Sequence, residues 1–154
     1  MPSGLEINIA GRPIGPAHAP FIIAEMSGNH NGELARALAI IDAIAESGAD
    51  AVKLQTYDAD MLTIDHDGKD FQIGEGLWAG DTLYKLYQKA YTPLEWHESL
   101  FAHARKLGLI VFSSPFAAEA VDLLEKLDAP AYKIASFELI DHALVARAAR
   151  TGKP

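Results

Sequence analysis

The sequence predicts an α/β fold, namely the N-terminal half of a (β/α)8 TIM barrel preceded by a small β-hairpin. Short apolar runs without alternation are typical of parallel strands buried on both faces, and a helical pattern follows each of them. About four such units fit into the 154 residues, whereas a closed barrel needs eight units and about 250 residues. No glycine-rich nucleotide-binding loop follows the first strand, which argues against an open nucleotide-binding sheet. We therefore predict one partial barrel domain over residues 1–154.

The composition is that of a globular protein and disfavours several classes of partner. Thirteen Lys and Arg residues against twenty-one Asp and Glu residues give a formal net charge of −8. This charge disfavours binding to nucleic acid and to an anionic membrane. The absence of cysteine excludes disulfides, zinc–thiolate sites and a thiol nucleophile. The N-terminus lacks a signal-peptide pattern and no apolar run is long enough to span a membrane, so we expect a cytoplasmic protein.

The first predicted elements are a hairpin and a βαβ unit. Residues Leu5 to Ile9 alternate apolar and polar side chains, and Gly11-Arg12-Pro13 turns the chain, which predicts a hairpin that could plug the bottom of a barrel. The apolar run Phe21-Ile22-Ile23-Ala24 predicts the first buried strand. A helix from residue 33 to 47 and a strand from 51 to 56 complete a unit of the usual size.

The later elements contain one long irregular segment and one well-signalled helix. Residues 57–80 lack periodicity, which is typical of a segment that covers or shapes a site, and residues 82–89 predict a short helix. A helix from Pro93 to Leu107 is predicted with Thr92 as its cap and Glu95 completing a capping box. The remaining predictions are a strand at Leu109–Phe112, a helix at Ala117–Leu127, a fourth strand at Ala131–Ser136 and a helix from an Asp141 cap to Arg150.

Two lysines interrupt apolar strands, and polar residues follow them towards the strand ends. Lys53 and Lys133 each lie within an apolar run, where an unpaired ammonium would be costly without a carboxylate partner or an anionic ligand. Because barrel sites lie at the C-terminal ends of the strands, one interpretation is that the two lysines bind one phosphate or carboxylate. Ser114 and Ser136 can add hydroxyl donors there. The alternative is that the two lysines extend to solvent or pair with Glu25 and Glu138.

The acidic residues leave two interpretations open. Glu25 and Glu138 are interpreted as an acid, a base or groups that bind substrate hydroxyls, or else as structural ion partners of the two lysines. Gln55 lies two residues beyond Lys53 and therefore on the same face of the strand. His30 is predicted to be structural or solvated, no role is assigned to the other histidines, and the Asp-rich segment does not fit a calcium-binding EF-hand loop.

Several motifs resemble the sialic acid synthase family in order and spacing, from about Leu5 to Pro154. They are Phe21-Ile22-Ile23-Ala24-Glu25, Gly28-Asn29-His30-Asn31-Gly32, Val52-Lys53-Leu54-Gln55-Thr56, Phe112-Ser113-Ser114-Pro115-Phe116 and Tyr132-Lys133-Ile134-Ala135-Ser136. Further segments are more similar to the pseudaminic acid synthase branch: Leu77-Trp78, Thr82-Leu83-Tyr84, residues 87–93 and Ala135-Ser136-Phe137-Glu138. The resemblance makes residues 1–154 the N-terminal half of the synthase catalytic domain.

The resemblance implies an enzyme of cell-surface carbohydrate biosynthesis that condenses phosphoenolpyruvate with an N-acetylated amino sugar. The product is a nine-carbon 2-keto sugar acid, and phosphate is released. It further implies that the lysines and serines hold phosphoenolpyruvate, while the glutamates and Gln55 lie around the sugar and the reacting carbons. The expected catalytic residues are Glu25, Lys53 and Lys133, and the expected substrate-binding residues are Asn29, Gln55, Ser114, Ser136 and Glu138.

The family also implies features that this chain is not expected to supply. Its members use a divalent metal, manganese or magnesium, as a Lewis acid on the sugar aldehyde. They are about twice this long, with metal-binding histidines on later strands and a C-terminal antifreeze-like domain that completes the partner subunit's site. We therefore expect a homodimer, no metal ligands in this chain, and no synthase activity from it alone.

Two alternative functions remain open. One is a non-catalytic half-barrel that binds a phosphorylated ligand or self-associates through its unclosed sheet edges. The other is a different barrel enzyme that uses phosphoenolpyruvate, or an aldolase in which Lys133 would form a Schiff base.

Overall fold

The computed structural model describes residues 6–76 and 78–154. Leu5, at the start of the predicted hairpin, and Leu77, in one of the family motifs, lie outside the described residues. The regular elements are β1 (Ile7–Ile9), β2 (Arg12–Ile14), β3 (Ile23–Glu25), α1 (Leu34–Glu46), β4 (Ala51–Thr56), α2 (Ala59–Leu62), α3 (Leu83–Ala90), α4 (His97–Lys106), β5 (Ile110–Pro115), α5 (Ala118–Lys126) and α6 (His142–Ala149). Three 3₁₀ turns lie at Lys69–Phe71, Leu94–Trp96 and Phe137–Ile140.

The centre of the fold is a parallel sheet with the strand order β3-β4-β5. Side chains that point to one face of it, among them Val52, Leu54 and Val111, form the main core with apolar residues of α1 and α4. Because side chains alternate along a strand, Lys53, Gln55 and Ser114 point to the opposite face, which would be the inner face of a barrel. This α/β arrangement confirms the predicted partial barrel.

The N-terminal hairpin packs on that inner face. The strands β1 and β2 pair antiparallel, and the turn between them is made by Ala10 and Gly11, both with positive φ, one residue earlier than the predicted turn. Ile9 packs against Ala51 and Phe112, and Ala51 is the first residue of β4. The hairpin therefore covers the inner face near the start of the strands, as expected of a plug at the bottom of a barrel.

The predicted fourth strand at residues 131–136 is wrong as a regular element. Tyr132 makes one parallel bridge to Ser113, and the Lys133 N–H donates to the Ser113 carbonyl at 3.1 Å. On the other side the Tyr132 N–H donates to the carbonyl of Pro154 at 3.0 Å. The ladder ends there because the chain enters the 3₁₀ turn Phe137–Ile140. The direction of this segment is nevertheless that of the parallel sheet.

The helix predicted from Pro93 begins differently. A 3₁₀ turn at Leu94–Trp96 precedes α4. Thr92 does not cap the helix, because its hydroxyl is hydrogen-bonded to the ring of His30. The predicted cap at Asp141 is confirmed. Its carboxylate accepts from the N–H groups of Ala143 and Leu144, in the first turn of α6.

The remaining predicted elements agree with the structure to within a few residues at each end. The helix predicted at 82–89 is α3, and the Thr82 hydroxyl accepts from the Lys85 N–H at its start. In the described part of the irregular segment, residues 57–76 and 78–80, the structure has α2, a 3₁₀ turn and one antiparallel bridge from Gln72 to Thr82. Within residues 6–76 and 78–154, the helices are all too short or too polar to cross a lipid bilayer.

Candidate active site

Lys53 lies in the middle of β4 and is the most buried cation of the site. Only 8% of its surface is exposed, and its Nζ lies 3.2 Å from Oε1 of Glu25. Glu25 ends β3 as the registered neighbour of Lys53, but 57% of its side chain is exposed. The sequence-based alternative of a Lys53–Glu25 ion pair is thus observed. An ammonium has three donors, so this pair also allows Lys53 to bind an anionic ligand.

Gln55 and Ser114 are direct neighbours across β4 and β5. They are paired in the register of the sheet, and parallel strands lie about 4.8 Å apart. Ser114 is buried, whereas Gln55 is half-buried and lines a cavity. A lysine, a serine hydroxyl and a carboxamide therefore share the inner face near the C-terminal ends of two adjacent strands.

Lys133 and Ser136 lie beside this group but are exposed. The hydrogen bond from the Lys133 N–H to the Ser113 carbonyl brings its backbone to the end of β5. The sequence predicted Lys133 inside a buried strand, and that burial is wrong, because the segment leaves the sheet after a single bridge. The role of Lys133 in binding an anion stays a prediction, as does that of Ser136.

Glu138 lines a cavity of about 390 Å³ at the end of the sheet. Its Oε2 is buried and has no hydrogen-bond partner among the described residues. A buried carboxylate oxygen without a partner is unfavourable, and a ligand that donates to it would relieve that cost. The other residues that line the cavity are Gln55, Tyr57, Leu62, Tyr87, Phe116, Ala135 and Phe137.

One wall of this cavity is aromatic. Tyr57 meets Phe116 and Tyr87 edge to face, with ring centroids 5.2 Å and 6.0 Å apart. Burial raises the pKa of Tyr57 to about 12, so its phenol stays protonated near neutral pH. Sequence reasoning missed Tyr57 and Phe116 as site residues. The available signal was their position directly after the ends of β4 and β5.

Asn29 has a local structural contact. Its side-chain amide donates to the Met26 carbonyl at 3.0 Å, within the loop that follows β3. This bond shapes the loop and leaves the carboxamide oxygen available to a ligand. Substrate binding by Asn29 therefore stays a prediction.

Two buried histidines lie behind the site. His30 accepts from the Gly32 N–H through Nδ1 and contacts the Thr92 hydroxyl through Nε2, each at 3.1 Å, which confirms its predicted structural role. His97, to which sequence reasoning assigned no role, contacts the Thr56 hydroxyl at 2.9 Å. Burial lowers the pKa of both rings, so they are neutral near pH 7.

The donor set of the site suits an anion better than a metal ion. Across the described ranges 6–76 and 78–154, no three His, Asp or Glu side chains are grouped in a way that could hold a metal. The groups that converge on the inner face are an ammonium, a hydroxyl and a carboxamide with one carboxylate, whereas divalent cations such as Mg²⁺ prefer several oxygen ligands. These residues therefore do not form a site for the metal that the family resemblance implies.

The fold is that of part of an α/β-barrel enzyme, and a lysine, a serine and a glutamine lie together near the C-terminal strand ends, where barrel sites are found. Residues 40–154 match the NeuB family. The chain is 55% identical over 135 residues to a pseudaminic acid synthase of Helicobacter pylori, an alignment that covers 88% of this chain and 40% of that protein. The chain therefore belongs to the NeuB family, which confirms the resemblance predicted from its motifs.

Two further relatives agree with this assignment. The chain is 33% identical over 133 residues to an N,N'-diacetyllegionaminic acid synthase of Campylobacter jejuni, covering 86% of this chain and 40% of that one. The crystal structure of the N-acetylneuraminic acid (sialic acid) synthetase of Leptospira borgpetersenii matches with a TM-score of 0.81 and 27% identity, over 97% of this chain and 48% of that one. The chain spans about 40% of the length of the curated relatives it matches.

Proposed function

We propose that this chain forms the donor-binding part of a pseudaminic acid-type synthase. In this reaction phosphoenolpyruvate condenses with an N-acylated amino sugar to give a nine-carbon 2-keto sugar acid and phosphate. The observation that carries the proposal is Lys53, a nearly buried cation with a single, largely exposed ion partner among the described residues, on the same strand face as Gln55. Such an ammonium is suited to bind a donor that carries an anionic carboxylate and an anionic phosphate.

The preference for a pseudaminic acid-type sugar rests on the identities. The chain is 55% identical to the pseudaminic acid synthase of H. pylori but 33% identical to the diacetyllegionaminic acid synthase of C. jejuni, over alignments of similar length. The two alignments cover 88% and 86% of this chain, so the difference in identity supports the pseudaminic branch. It matches the branch that the sequence motifs favour.

In the proposed reaction, the residues on the inner face hold the donor and manage its charge. Lys53 and Ser114 bind anionic oxygens of phosphoenolpyruvate, while C3 of the donor forms the new bond to the sugar aldehyde carbon and the aldehyde oxygen takes up a proton. Water then adds at C2, the C–O bond to phosphate breaks, and the C2 hydroxyl loses its proton as the keto group forms. The two protons of this water balance those taken up by the aldehyde oxygen and the departing phosphate. Glu25, next to the ammonium of Lys53, acts as the base that takes the proton from this water.

The sugar is proposed to bind in the cavity lined by Gln55 and Glu138. The unpartnered Oε2 of Glu138 accepts from a sugar hydroxyl or amide N–H, which would remove the cost of its burial. Gln55 can donate to one sugar oxygen and accept from another donor. Asn29 is proposed as a further contact from the loop after β3.

Lys133 and Ser136 are proposed to bind the second anionic end of phosphoenolpyruvate. The bond from the Lys133 N–H to the Ser113 carbonyl supports this, because it lies at the end of β5, beside Ser114. The exposure of Lys133 does not favour the Schiff-base alternative, since a nucleophilic lysine is activated by desolvation or by a nearby cation.

For the complete enzyme we propose a divalent metal ion and a homodimeric assembly. When bound, manganese or magnesium would polarise the sugar aldehyde as a Lewis acid. Residues 6–76 and 78–154 contain no group of His, Asp and Glu side chains that could hold the metal, so its ligands are proposed to be residues outside these ranges. A homodimer in the cytoplasm is the proposed working form.

Calorimetric titration of phosphoenolpyruvate into the purified chain tests the donor site. We expect binding to the wild type and a loss of at least about tenfold in affinity for Lys53→Ala, because a hydrogen bond to a charged group contributes about 1.5–3 kcal/mol. Lys126→Ala removes an exposed lysine on α5 and is the matched control. Equal affinity of Lys53→Ala and the wild type would refute the proposed donor site, and so would a folded wild type that does not bind.

A further inference from the structure

We propose that His97 is a positioning residue for the donor site, which acts through Thr56 and Ser113 to fix the placement of Gln55 against Ser114. The inference rests on the proposed function, because it concerns the same strand ends. His97 lies on the outer side of the sheet and does not reach the inner face, so its effect is indirect. It begins α4 and is completely buried.

The hydrogen bonds behind the site run in one defined direction. A carbonyl can only accept, so we assign the ring proton of His97 to Nδ1, which lies 3.2 Å from the Pro93 carbonyl. Nε2 of the neutral ring is therefore an acceptor, and the Thr56 hydroxyl donates to it at 2.9 Å. Since Thr56 has a single hydroxyl proton, its oxygen accepts from the Ser113 hydroxyl, at 2.6 Å.

This chain of bonds lies directly behind two residues of the site. Thr56 follows Gln55 and Ser113 precedes Ser114, and the register pairs Gln55 with Ser114. Thr56 is registered opposite Pro115, so its bond to Ser113 is diagonal and opposes a slip of one strand along the other. Because neighbouring side chains point to opposite faces, a fixed outer pair also fixes the inner pair.

The segment that leads into α4 also contacts the loop that follows β3. Thr92 lies next to Pro93 and is hydrogen-bonded to His30 in the loop after β3. The ring of His30 also meets Trp96 edge to face, with centroids 5.5 Å apart. The segment from Thr92 to His97 is therefore bonded to the loop after β3 and to the end of β4, and it reaches β5 indirectly, through the bond between Thr56 and Ser113.

The variant Thr56→Val tests the role of this chain. Valine keeps the shape of threonine but can neither donate to His97 nor accept from Ser113. We expect its affinity for phosphoenolpyruvate, measured by calorimetry, to fall by about tenfold, the effect of about 1.4 kcal/mol. Thr56→Ser keeps the hydroxyl and should restore binding to within about twofold of the wild type, a change of about 0.4 kcal/mol. His97→Gln is expected to weaken binding like Thr56→Val.

Two controls separate positioning from general stability. Val121→Ala opens a cavity in the α5–α6 cluster, away from the site, and should lower the free energy of unfolding without changing the affinity. His103→Gln removes a histidine of α4 that is bonded to Asp42 at the surface, and should leave the affinity unchanged. If Thr56 has a merely structural role, Thr56→Val should, like Val121→Ala, lower the free energy of unfolding without changing the affinity for phosphoenolpyruvate.

The outcomes distinguish this inference from the proposed function. If the wild type binds phosphoenolpyruvate and Lys53→Ala does not, but Thr56→Val binds like the wild type, the positioning role is refuted and the donor site stands. If the folded wild type does not bind at all, both are refuted. Should Thr56→Val fail to fold, Ser113→Ala removes only the last donor of the chain, and unchanged affinity of that variant would refute the positioning role.

Discussion

At the scale of single residues, some buried groups of the site could be predicted from the sequence and others could not. Lys53 could be predicted because a charge within an apolar strand has few low-energy explanations. His97 could not, because its bond to Thr56 joins residues 41 positions apart, and no local pattern records such a contact. The bond between His30 and Thr92 spans 62 positions, and it explains why the hydroxyl of Thr92 is not available as a helix cap.

The two buried histidines predict how stability depends on pH. Burial lowers the pKa of His30 and of His97 in the folded chain below the ordinary value of 6.5. As the pH falls below about 6.5, the unfolded chain therefore takes up protons first, and the free energy of unfolding decreases. Urea unfolding at pH 7.5, 6.5 and 5.5 should show this loss, and it should be smaller in the double variant His30→Gln, His97→Gln.

His66→Gln is the control for this measurement, because His66 is an exposed histidine. Measured at the same three pH values, this variant shows the effect of replacing a histidine that is not buried. A double variant with an unchanged pH dependence would contradict the assignment of the two buried rings as neutral groups.

At the scale of elements, burial determines how well an element could be predicted. The limits of β4 were predicted to the residue, although Lys53 and Gln55 interrupt its apolar pattern, and five of its six residues are buried. The segment at residues 131–136 has a similar pattern but makes only one bridge. A similar apolar pattern therefore does not ensure a buried, regular strand, which also needs a neighbour along its whole length.

The Asp141 cap is expected to stabilise α6. Its Oδ1 accepts from the N–H groups of Ala143 and Leu144, each at 3.0 Å. Asp141→Ala should lower the free energy of unfolding by about 1 kcal/mol, as measured by urea denaturation. Glu33 occupies the equivalent position of α1 without a capping hydrogen bond, so Glu33→Ala should have little effect. Equal losses in the two variants would argue against the cap.

At the scale of the whole molecule, large apolar side chains are exposed near the end of the sheet. Ile140 is 85% exposed and Leu139 is 63% exposed, on the 3₁₀ turn that follows the single bridge of Tyr132. Ile22 and Ile23, beside and within β3, are also exposed. Exposed apolar groups next to a sheet edge favour association with another chain.

Sedimentation of the purified chain tests the expected self-association. We expect a mass above that of the 16.6 kDa monomer at high concentration. The double variant Leu139→Ser, Ile140→Ser should shift the equilibrium towards the monomer, because burial of these side chains would drive association. Ile64→Ser removes another exposed apolar side chain, elsewhere in the chain, and should leave the equilibrium between monomer and oligomer unchanged. A chain that stays monomeric at all concentrations would contradict this expectation.

The hydrogen-bonded series Ser113–Thr56–His97 has a consequence for the history of the protein. Each member depends on the next for its partner, so a single substitution leaves a buried donor or acceptor without one. Replacing two or three members together with apolar side chains avoids that cost. The three positions should consequently co-vary during evolution, and intermediates that differ at only one of them should be rare.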